Sequence, residues 1–125
     1  MGKSILVIED DEDIRESLQQ VLEMEGYDVV PAGNGREGLA ALSQAEPCVI
    51  LLDLMMPVMN GWEFLQARRE QALAANVPVI IVSAAGARAT ATPAAAHFHK
   101  PIDLDRLLDA VHHYCDRGCQ GTQQT

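Results

Sequence analysis

The sequence predicts an α/β sandwich built around a five-stranded parallel sheet. Short runs of aliphatic residues alternate along the chain with segments in which apolar residues recur at helical spacing. Three of these runs are almost continuously aliphatic, which is typical of strands buried on both faces of a parallel sheet. With 125 residues, of which 48% are hydrophobic, the chain has the size and composition of one compact domain.

The elements follow one another in regular order. The predicted strands are Ile5–Ile8, Val29–Val30, Cys48–Leu52, Val79–Val82 and, with a weaker pattern, Ala96–Phe98. The amphipathic helices between and after them are marked by Ile14, Leu18, Val21 and Leu22; by Leu39 and Leu42; by Phe64, Leu65, Ala72 and Leu73; and by Leu104, Leu107, Leu108 and Val111. Gly26 is a suitable stop for the first helix, and Asp103 is a suitable N-cap for the last. The segment 84–96 is rich in alanine, so no full amphipathic helix is predicted there.

Charge and cysteine content exclude several classes of protein. The chain carries nine Lys and Arg against eighteen Asp and Glu, a net charge of −9, which argues against binding nucleic acid or an anionic membrane through bulk charge. Six of the acids fall within Glu9–Glu16. No apolar run approaches the roughly 20 residues of a membrane span. Three cysteines, an odd number, predict no disulfide framework, a core position for Cys48 and a reducing, cytoplasmic location.

Polar residues follow the predicted strands at the points where they end. Glu9, Asp10 and Asp11 follow the first strand, Asp53 the third, Ser83 the fourth, and Lys100 with Pro101 the fifth. Because ligands of parallel sheets bind beyond the carboxyl ends of the strands, these groups are expected to converge. Clustered carboxylates suit Mg²⁺, and an ammonium and a hydroxyl suit phosphate. The set predicts a phosphoryl-handling site with Asp53 as the nucleophile.

The same residues lie in motifs that resemble a known family. The motifs are ILVIEDDEDIRE from Ile5, LLDLMMPVMNGWEFL from Leu51, VIIVSA from Val79, and Lys100-Pro101. Over residues 3–115 the chain resembles the receiver domains of response regulators, in the CheY-like superfamily. The resemblance implies a flavodoxin-like three-layer α/β/α fold with strand order 2-1-3-4-5. It also implies a receiver domain at residues 1–117, and the polar residues 118–125 are predicted to form a disordered tail.

The resemblance also implies a role for each site residue. Asp53 is the phospho-acceptor, and Mg²⁺, with Mn²⁺ as an alternative, is held by Glu9, Asp10, Asp53 and the backbone carbonyl of Met55. Ser83 is a switch hydroxyl that moves toward the phosphoryl group. Lys100 pairs with the phosphate, and its peptide bond to Pro101 is predicted to be cis.

The partners and the activity follow from the family in the same way. The phosphoryl donor is expected to be a sensor histidine kinase or a histidine phosphotransfer protein, and the output is expected to be a change in binding to an unidentified downstream protein. The domain is expected to contact no nucleic acid and no membrane. It modifies itself and then loses the phosphoryl group by hydrolysis, so it is not predicted to be an enzyme with a separate substrate.

Two features depart from the family pattern. His97 stands three residues before the lysine, where the family usually has Tyr or Phe. It is either a switch residue with sensitivity to pH or a partly exposed polar residue without that role. Phe98, the next residue, is predicted to face the core. Lys100 follows Ser83 by only 17 positions, which predicts a shortened fourth helix region and an altered partner-binding face.

Three alternatives to this interpretation depend on particular residues. The altered segment before Lys100 favours a protein-interaction module that kept the fold without being phosphorylated. A metal-dependent phosphatase on a similar fold would need a general acid two residues after Asp53, where the chain has Met55. A zinc site at His112, His113, Cys115 and Cys119 is disfavoured because the spacing matches none of the usual patterns.

Overall fold

The computed structural model describes the backbone of residues 3–123 and the side chains of residues 3–116. The elements in chain order are β1 Ser4–Ile8, α1 Glu12–Met24, β2 Asp28–Ala32, α2 Gly35–Leu42, β3 Val49–Leu52, α3 Gly61–Gln71, β4 Val79–Ser83, α4 Ala87–Ala91, β5 Ala96–His99 and α5 Leu104–Gln123. Each predicted strand and each predicted helix is present, with end points that differ by a few residues.

The five strands form one parallel sheet in the order β2-β1-β3-β4-β5. In the centre of the sheet, Leu6 of β1 lies opposite Ile50 of β3, and Leu51 of β3 lies opposite Ile80 of β4. The predicted order 2-1-3-4-5 and the flavodoxin-like fold class are therefore confirmed.

The core consists of two layers, one on each face of the sheet. Residues that alternate along a strand point to opposite faces. One layer contains Leu6, Ile8, Ile50, Leu52 and Phe64. The other contains Ile5, Val7, Val49, Leu51 and Val111. Because β1 and β3 are buried on both faces, the residues at their carboxyl ends are held at the edge of a rigid sheet.

Gly26 and Asp103 lie at helix ends as the sequence predicts, whereas Asp11, expected near the site, caps α1 instead. The Asp11 side chain caps α1 by accepting a hydrogen bond from the Ile14 N–H, at 3.2 Å. Gly26 follows α1 with a φ of 94°, a conformation that glycine adopts without strain. The Asp103 carboxylate accepts from the Arg106 N–H at the start of α5, at 3.3 Å.

The fourth helix is short, as predicted. It has five residues, and the connection from Ser83 at the end of β4 to Ala96 at the start of β5 contains no other helix. At the other end of the chain, α5 extends to Gln123, past the domain boundary predicted at residue 117. Side chains from residue 117 onward lie outside the described residues, so the disordered tail 118–125 stays a prediction.

The prediction that the cysteines form no disulfide is wrong. Cys48, just before β3, is bonded to Cys115 of α5, and the two Cα atoms are 5.1 Å apart. Cys115 is fully buried, whereas Cys48 is partly buried and packs at the edge of the core. An odd cysteine count leaves one cysteine unpaired but does not prevent the other two from pairing, and 67 residues separate these two in sequence.

No helix in the described part of the chain is long and apolar enough to cross a membrane.

Candidate functional site

The site begins with two acidic residues that the sheet sets side by side. The Glu9 N–H donates to the Ala32 carbonyl at 3.0 Å, and the Asp53 N–H donates to the Ile8 carbonyl at 2.9 Å. These bonds continue the strand pairing by one residue beyond β1 and β3. Glu9 and Asp53 are both buried, and Asp10 is exposed. One carboxylate oxygen from each of the three lies within 4.8 Å of the others.

Lys100 supplies the positive charge of the site. Its Nζ lies 2.8 Å from Glu9 Oε1 and 3.5 Å from Asp53 Oδ2. The Lys100 N–H donates to the Ser83 carbonyl at 3.2 Å, so the end of β4 fixes the lysine backbone. The Lys100–Pro101 peptide bond is cis, as the resemblance implies.

Burial is the main cause of the pKa shifts of the two buried carboxyl groups in the site. Burial raises the pKa of Glu9 to about 7, and the charge of Asp53 adds to this shift, although Lys100 opposes it. Burial likewise raises the pKa of Asp53, against the opposing effect of Lys100. Burial lowers the pKa of Lys100, but the hydrogen bond to Glu9 and the charges of Glu9 and Asp53 outweigh it and raise that pKa. One lysine therefore does not fully compensate the carboxylates.

The donor set fits a hard divalent cation. Three carboxylates lie close together here, and they outnumber the cations of the site. Carboxylate oxygens, together with water, are the ligands that Mg²⁺ prefers. The raised pKa values of Glu9 and Asp53 show that the folded chain disfavours their charge, and a bound cation would remove that penalty. The residues present therefore fit a magnesium ion.

The loop after Asp53 is held close to the site. The Met55 N–H donates to Asp53 Oδ1 at 3.3 Å. Asn60 and Glu63 form a reciprocal capping box at the start of α3. At Gly61, an added Cβ would lie 2.7 Å from the Asp53 carbonyl oxygen, so glycine is required for this close approach.

The two predicted switch residues lie in different environments, one buried and one exposed. Ser83 is fully buried at the end of β4, and its hydroxyl oxygen accepts from the Ala85 N–H at 3.2 Å. His97 lies on β5 opposite Ile81, is exposed, and donates through Nε2 to the Thr92 carbonyl at 2.6 Å. Phe98 packs on the core as predicted. The switch roles themselves stay predictions.

A polar connection between α3 and α4 is not predicted by the sequence pattern. The Trp62 indole N–H donates to Thr92 Oγ1 at 2.9 Å, and the Arg88 guanidinium lies 4.0 Å from the centre of the Trp62 ring. Thr92 Oγ1 in turn donates to the Arg88 carbonyl at 2.7 Å. The available signal was Trp62 itself, since it is the only tryptophan of the sequence and a buried indole N–H needs an acceptor.

Two of the residues considered for zinc are used elsewhere. His112 Nδ1 lies 2.6 Å from the Tyr27 hydroxyl, and its Nε2 lies 3.0 Å from Glu25 Oε1. Cys115 is in the disulfide with Cys48. The side chain of Cys119 lies outside the described residues.

Comparison with known proteins places this arrangement in a family. The model of the response regulator receiver domain matches residues 5–112. Sporulation initiation phosphotransferase F of Bacillus subtilis is 35% identical over 119 residues, which cover 91% of this chain and 94% of that protein. Other curated relatives are transcriptional regulators, of which this chain spans about a third to a half of the length.

Solved structures agree with this assignment. The receiver domain of the Francisella response regulator 1452 is 29% identical with a TM-score of 0.83, covering 93% of this chain and 98% of that one. The response regulator TrrA of Thermotoga maritima, solved in complex with Mg²⁺-BeF, is 28% identical with a TM-score of 0.79, covering 90% of this chain and 98% of that one. The fold, the acidic site with its lysine, and these matches agree: the chain belongs to the response regulator receiver domains of two-component systems.

Proposed function

We propose that Asp53 is the residue that accepts the phosphoryl group. The observation that carries the proposal is the position of its carboxylate, within 4.8 Å of two other carboxylates and 3.5 Å from Lys100 Nζ. An Oδ atom of Asp53 attacks the phosphorus of a phosphohistidine. The phosphorus–nitrogen bond breaks as the phosphorus–oxygen bond forms, and the electron pair stays on the histidine nitrogen.

The cation of the site is proposed to be Mg²⁺, with Mn²⁺ as a substitute. Glu9, Asp10, Asp53 and the Met55 backbone carbonyl would hold it. When bound, Mg²⁺ supplies positive charge against the phosphoryl oxygens and against the clustered carboxylates.

Lys100 and Ser83 are proposed to respond to the new group. The Lys100 ammonium already lies between Glu9 and Asp53, so a small movement brings it to a phosphoryl oxygen. The Ser83 hydroxyl accepts a backbone hydrogen bond from Ala85, and its own proton is able to point to a second phosphoryl oxygen. Because Ala85 leads into α4, a shift of Ser83 changes the segment that ends at Thr92.

The change in that segment is the proposed output. The phosphoryl group adds negative charge and several acceptor oxygens at Asp53, which biases the adjacent loops between two arrangements. His97 is proposed to report this bias, because its ring holds the Thr92 carbonyl at the end of α4.

The partners and the reaction class are proposed from the family. The donor is a sensor histidine kinase or a histidine phosphotransfer protein, and the recipient of the signal is a downstream protein. Water then attacks the phosphorus, which returns the Asp53 carboxylate and inorganic phosphate. No separate substrate is turned over, so the domain is proposed to be a signalling protein rather than an enzyme.

A cytoplasmic location is proposed with the partners, which belong to that compartment in this family. The Cys48–Cys115 disulfide argues against a reducing compartment, because disulfide bonds are rare there. Alkylation of free thiols at the moment of cell lysis measures how much of the pair is reduced and thereby tests the location.

The phospho-acceptor is tested by incubating the protein with Mg²⁺ and phosphoramidate and measuring its intact mass. We expect one phosphoryl group on the wild type and none on Asp53→Ala. The matched control is Asp13→Asn, an acidic residue in the first turn of α1 that lies outside the site, which is expected to react like the wild type. Circular dichroism verifies that each variant is folded.

The rival candidate is an interaction module that is not phosphorylated, and the short α4 favours it. Under this candidate the wild type gains no phosphoryl group from phosphoramidate, acetyl phosphate or a cognate kinase. That outcome contradicts the proposed role of Asp53 and leaves the fold assignment intact.

A further inference from the structure

A groove lies along α3, where the short α4 leaves that helix uncovered. It has a volume of about 1050 Å³ and is lined by α3, by the chain between α3 and β4, and by α4 with the residues that follow it. A connection between parallel strands usually contains a full helix, but α4, between β4 and β5, has only five residues. The groove lies where this connection is short, and neither Lys100 nor any carboxylate of the site is among its described lining.

The floor of the groove is apolar. Trp62, Leu65 and Leu73 line it and are each only partly buried by the core on which they pack. Val77 and Val79 line its base and are buried. A partner that covers this floor would remove further apolar surface from water, which is the main favourable contribution to association.

The rim of the groove is basic. Arg68, Arg69 and Arg88 line it, and Glu70 is the single acidic residue among its described lining. None of the three arginines takes part in an ion pair within the described part of the chain. This contrasts with the net charge of −9 for the whole chain.

The three arginines differ in how freely they can meet a partner. Arg68 donates to the carbonyls of Ala74 and Val77, at 2.6 and 2.7 Å, and so holds the wall of the groove. Arg69 is exposed. Arg88 is exposed and stacks on the Trp62 ring. Burial and the neighbouring charge of Arg69 lower the pKa of Arg68, as expected where no carboxylate compensates the positive charges.

We propose that this groove docks an acidic amphipathic helix of a partner protein. Its apolar side chains would fill the floor between Trp62 and Leu73, and its carboxylates would meet Arg69 and Arg88. The eleven residues of α3 extend over about 16 Å, so two to three turns of a helix can lie beside them, anchored at positions i, i+3, i+4 and i+7. The charge of the rim in an otherwise acidic protein selects an acidic occupant.

The groove also touches the segments that surround the phosphorylation site. Trp62 and Arg88 line a second, smaller pocket of about 410 Å³ together with Met55, Met56 and Pro57, from the loop after Asp53. A helix seated on Trp62 would therefore lie beside that loop. The proposal goes beyond the proposed function and does not require it, because the groove is present in the unphosphorylated chain.

The test uses two synthetic helical peptides of equal length without tryptophan. Both carry Leu at i, i+3, i+4 and i+7; the flanking positions are Glu in one and Lys in the other. Binding is followed by the fluorescence anisotropy of a dye on the peptide, and Trp62 emission reports where it binds, since the chain has one tryptophan. We expect saturable binding of the Glu peptide with a change in Trp62 emission, and weaker binding of the Lys peptide.

Charge reversal makes the test specific. Arg69→Glu combined with Arg88→Glu is expected to weaken binding of the Glu peptide about tenfold or more and to make the Lys peptide the tighter binder. The matched control is Arg36→Glu, an exposed arginine of α2 outside the groove, which is expected to bind like the wild type. Asp53→Ala is expected to bind the Glu peptide unchanged, so a failure of phosphorylation would be seen separately.

Three results would overturn the proposal. Equal binding of the two peptides, or binding that ignores the double charge reversal, would mean that the basic rim selects nothing. A wild-type dimer in sedimentation velocity that becomes a monomer on double charge reversal would make the occupant a second copy of this chain instead.

Discussion

The two ends of the same sheet treat polar groups in opposite ways. At the carboxyl end, Glu9 and Asp53 are buried side by side and share one lysine, and burial raises the pKa of both. At the amino end, Lys3 pairs with Asp116 at 2.7 Å, and Tyr27 and Glu25 both bond to His112. The disulfide between Cys48 and Cys115 lies at this end as well.

This contrast assigns function to the carboxyl end of the sheet and stability to the amino end. Within the described part of the chain every fully buried side-chain nitrogen or oxygen has a hydrogen-bond partner, so the carboxyl end does not lack hydrogen bonds. It lacks positive charge. A bound cation is therefore expected to stabilise the carboxyl end. At the amino end the charged and polar groups already have partners, and these contacts hold α5 on the sheet.

The largest expected effect comes from the amino end. Opening the disulfide by the pair Cys48→Ala and Cys115→Ala is expected to lower the free energy of unfolding by about 4 kcal/mol, because the bond closes a loop of 67 residues. Urea unfolding measures this, and Cys119→Ala is the control. The contrast between the ends predicts that phosphorylation of the folded double variant stays at the wild-type level. Loss of phosphorylation in a folded sample would contradict it.

A smaller loss is expected at the carboxyl end when its lysine is removed. Lys100→Ala leaves two buried carboxylates without their cation, which is expected to cost about 3 kcal/mol in a cation-free buffer. The control is Arg106→Ala, whose ion pair with Asp103 is exposed and is worth less than about 1 kcal/mol. Added Mg²⁺ is expected to restore much of the stability of Lys100→Ala. Equal losses for both variants would mean that burial of the charges is unimportant here.

Asp53→Asn is expected to change stability in the opposite direction. Burial raises the pKa of Asp53, so the folded protein disfavours its charge, and the neutral amide is expected to raise the midpoint of thermal unfolding at pH 7 without a cation. Most point substitutions lower stability, by about 1 kcal/mol on average. Mg²⁺ is expected to raise the midpoint of the wild type more than that of the variant, because it binds the folded wild type more tightly. A destabilised Asp53→Asn would show that the carboxylate is structural.

The smallest effect concerns pH at the amino end. Burial raises the pKa of Tyr27 above its ordinary value of 10. The folded chain therefore holds this proton more tightly than the unfolded chain, and stability falls as pH rises through the alkaline range. Tyr27→Phe removes this dependence, so its free energy of unfolding is expected to fall less steeply above pH 10. Parallel curves for the two proteins would exclude the titration of Tyr27.

Much of this could be predicted from the sequence, for physical reasons. The continuous aliphatic runs of β1, β3 and β4 predict a parallel sheet, and the sheet then requires Glu9, Asp53 and Lys100 to meet at one end. The disulfide was not predictable, because the approach of Cys48 to Cys115 depends on how α5 returns across the sheet. The groove was not predictable either, since its volume depends on where a five-residue α4 lies relative to Trp62.

We propose that Asp53, at the carboxyl end of the sheet, is the residue that carries the signal. It is tested most directly by phosphorylating the protein, reducing the acyl phosphate with borohydride and mapping the peptides by mass spectrometry. Hydride reduction turns a phosphorylated aspartate into homoserine, so we expect homoserine at position 53 and unchanged aspartate at positions 10 and 11. Homoserine at position 10 or 11 with an intact Asp53 would contradict it.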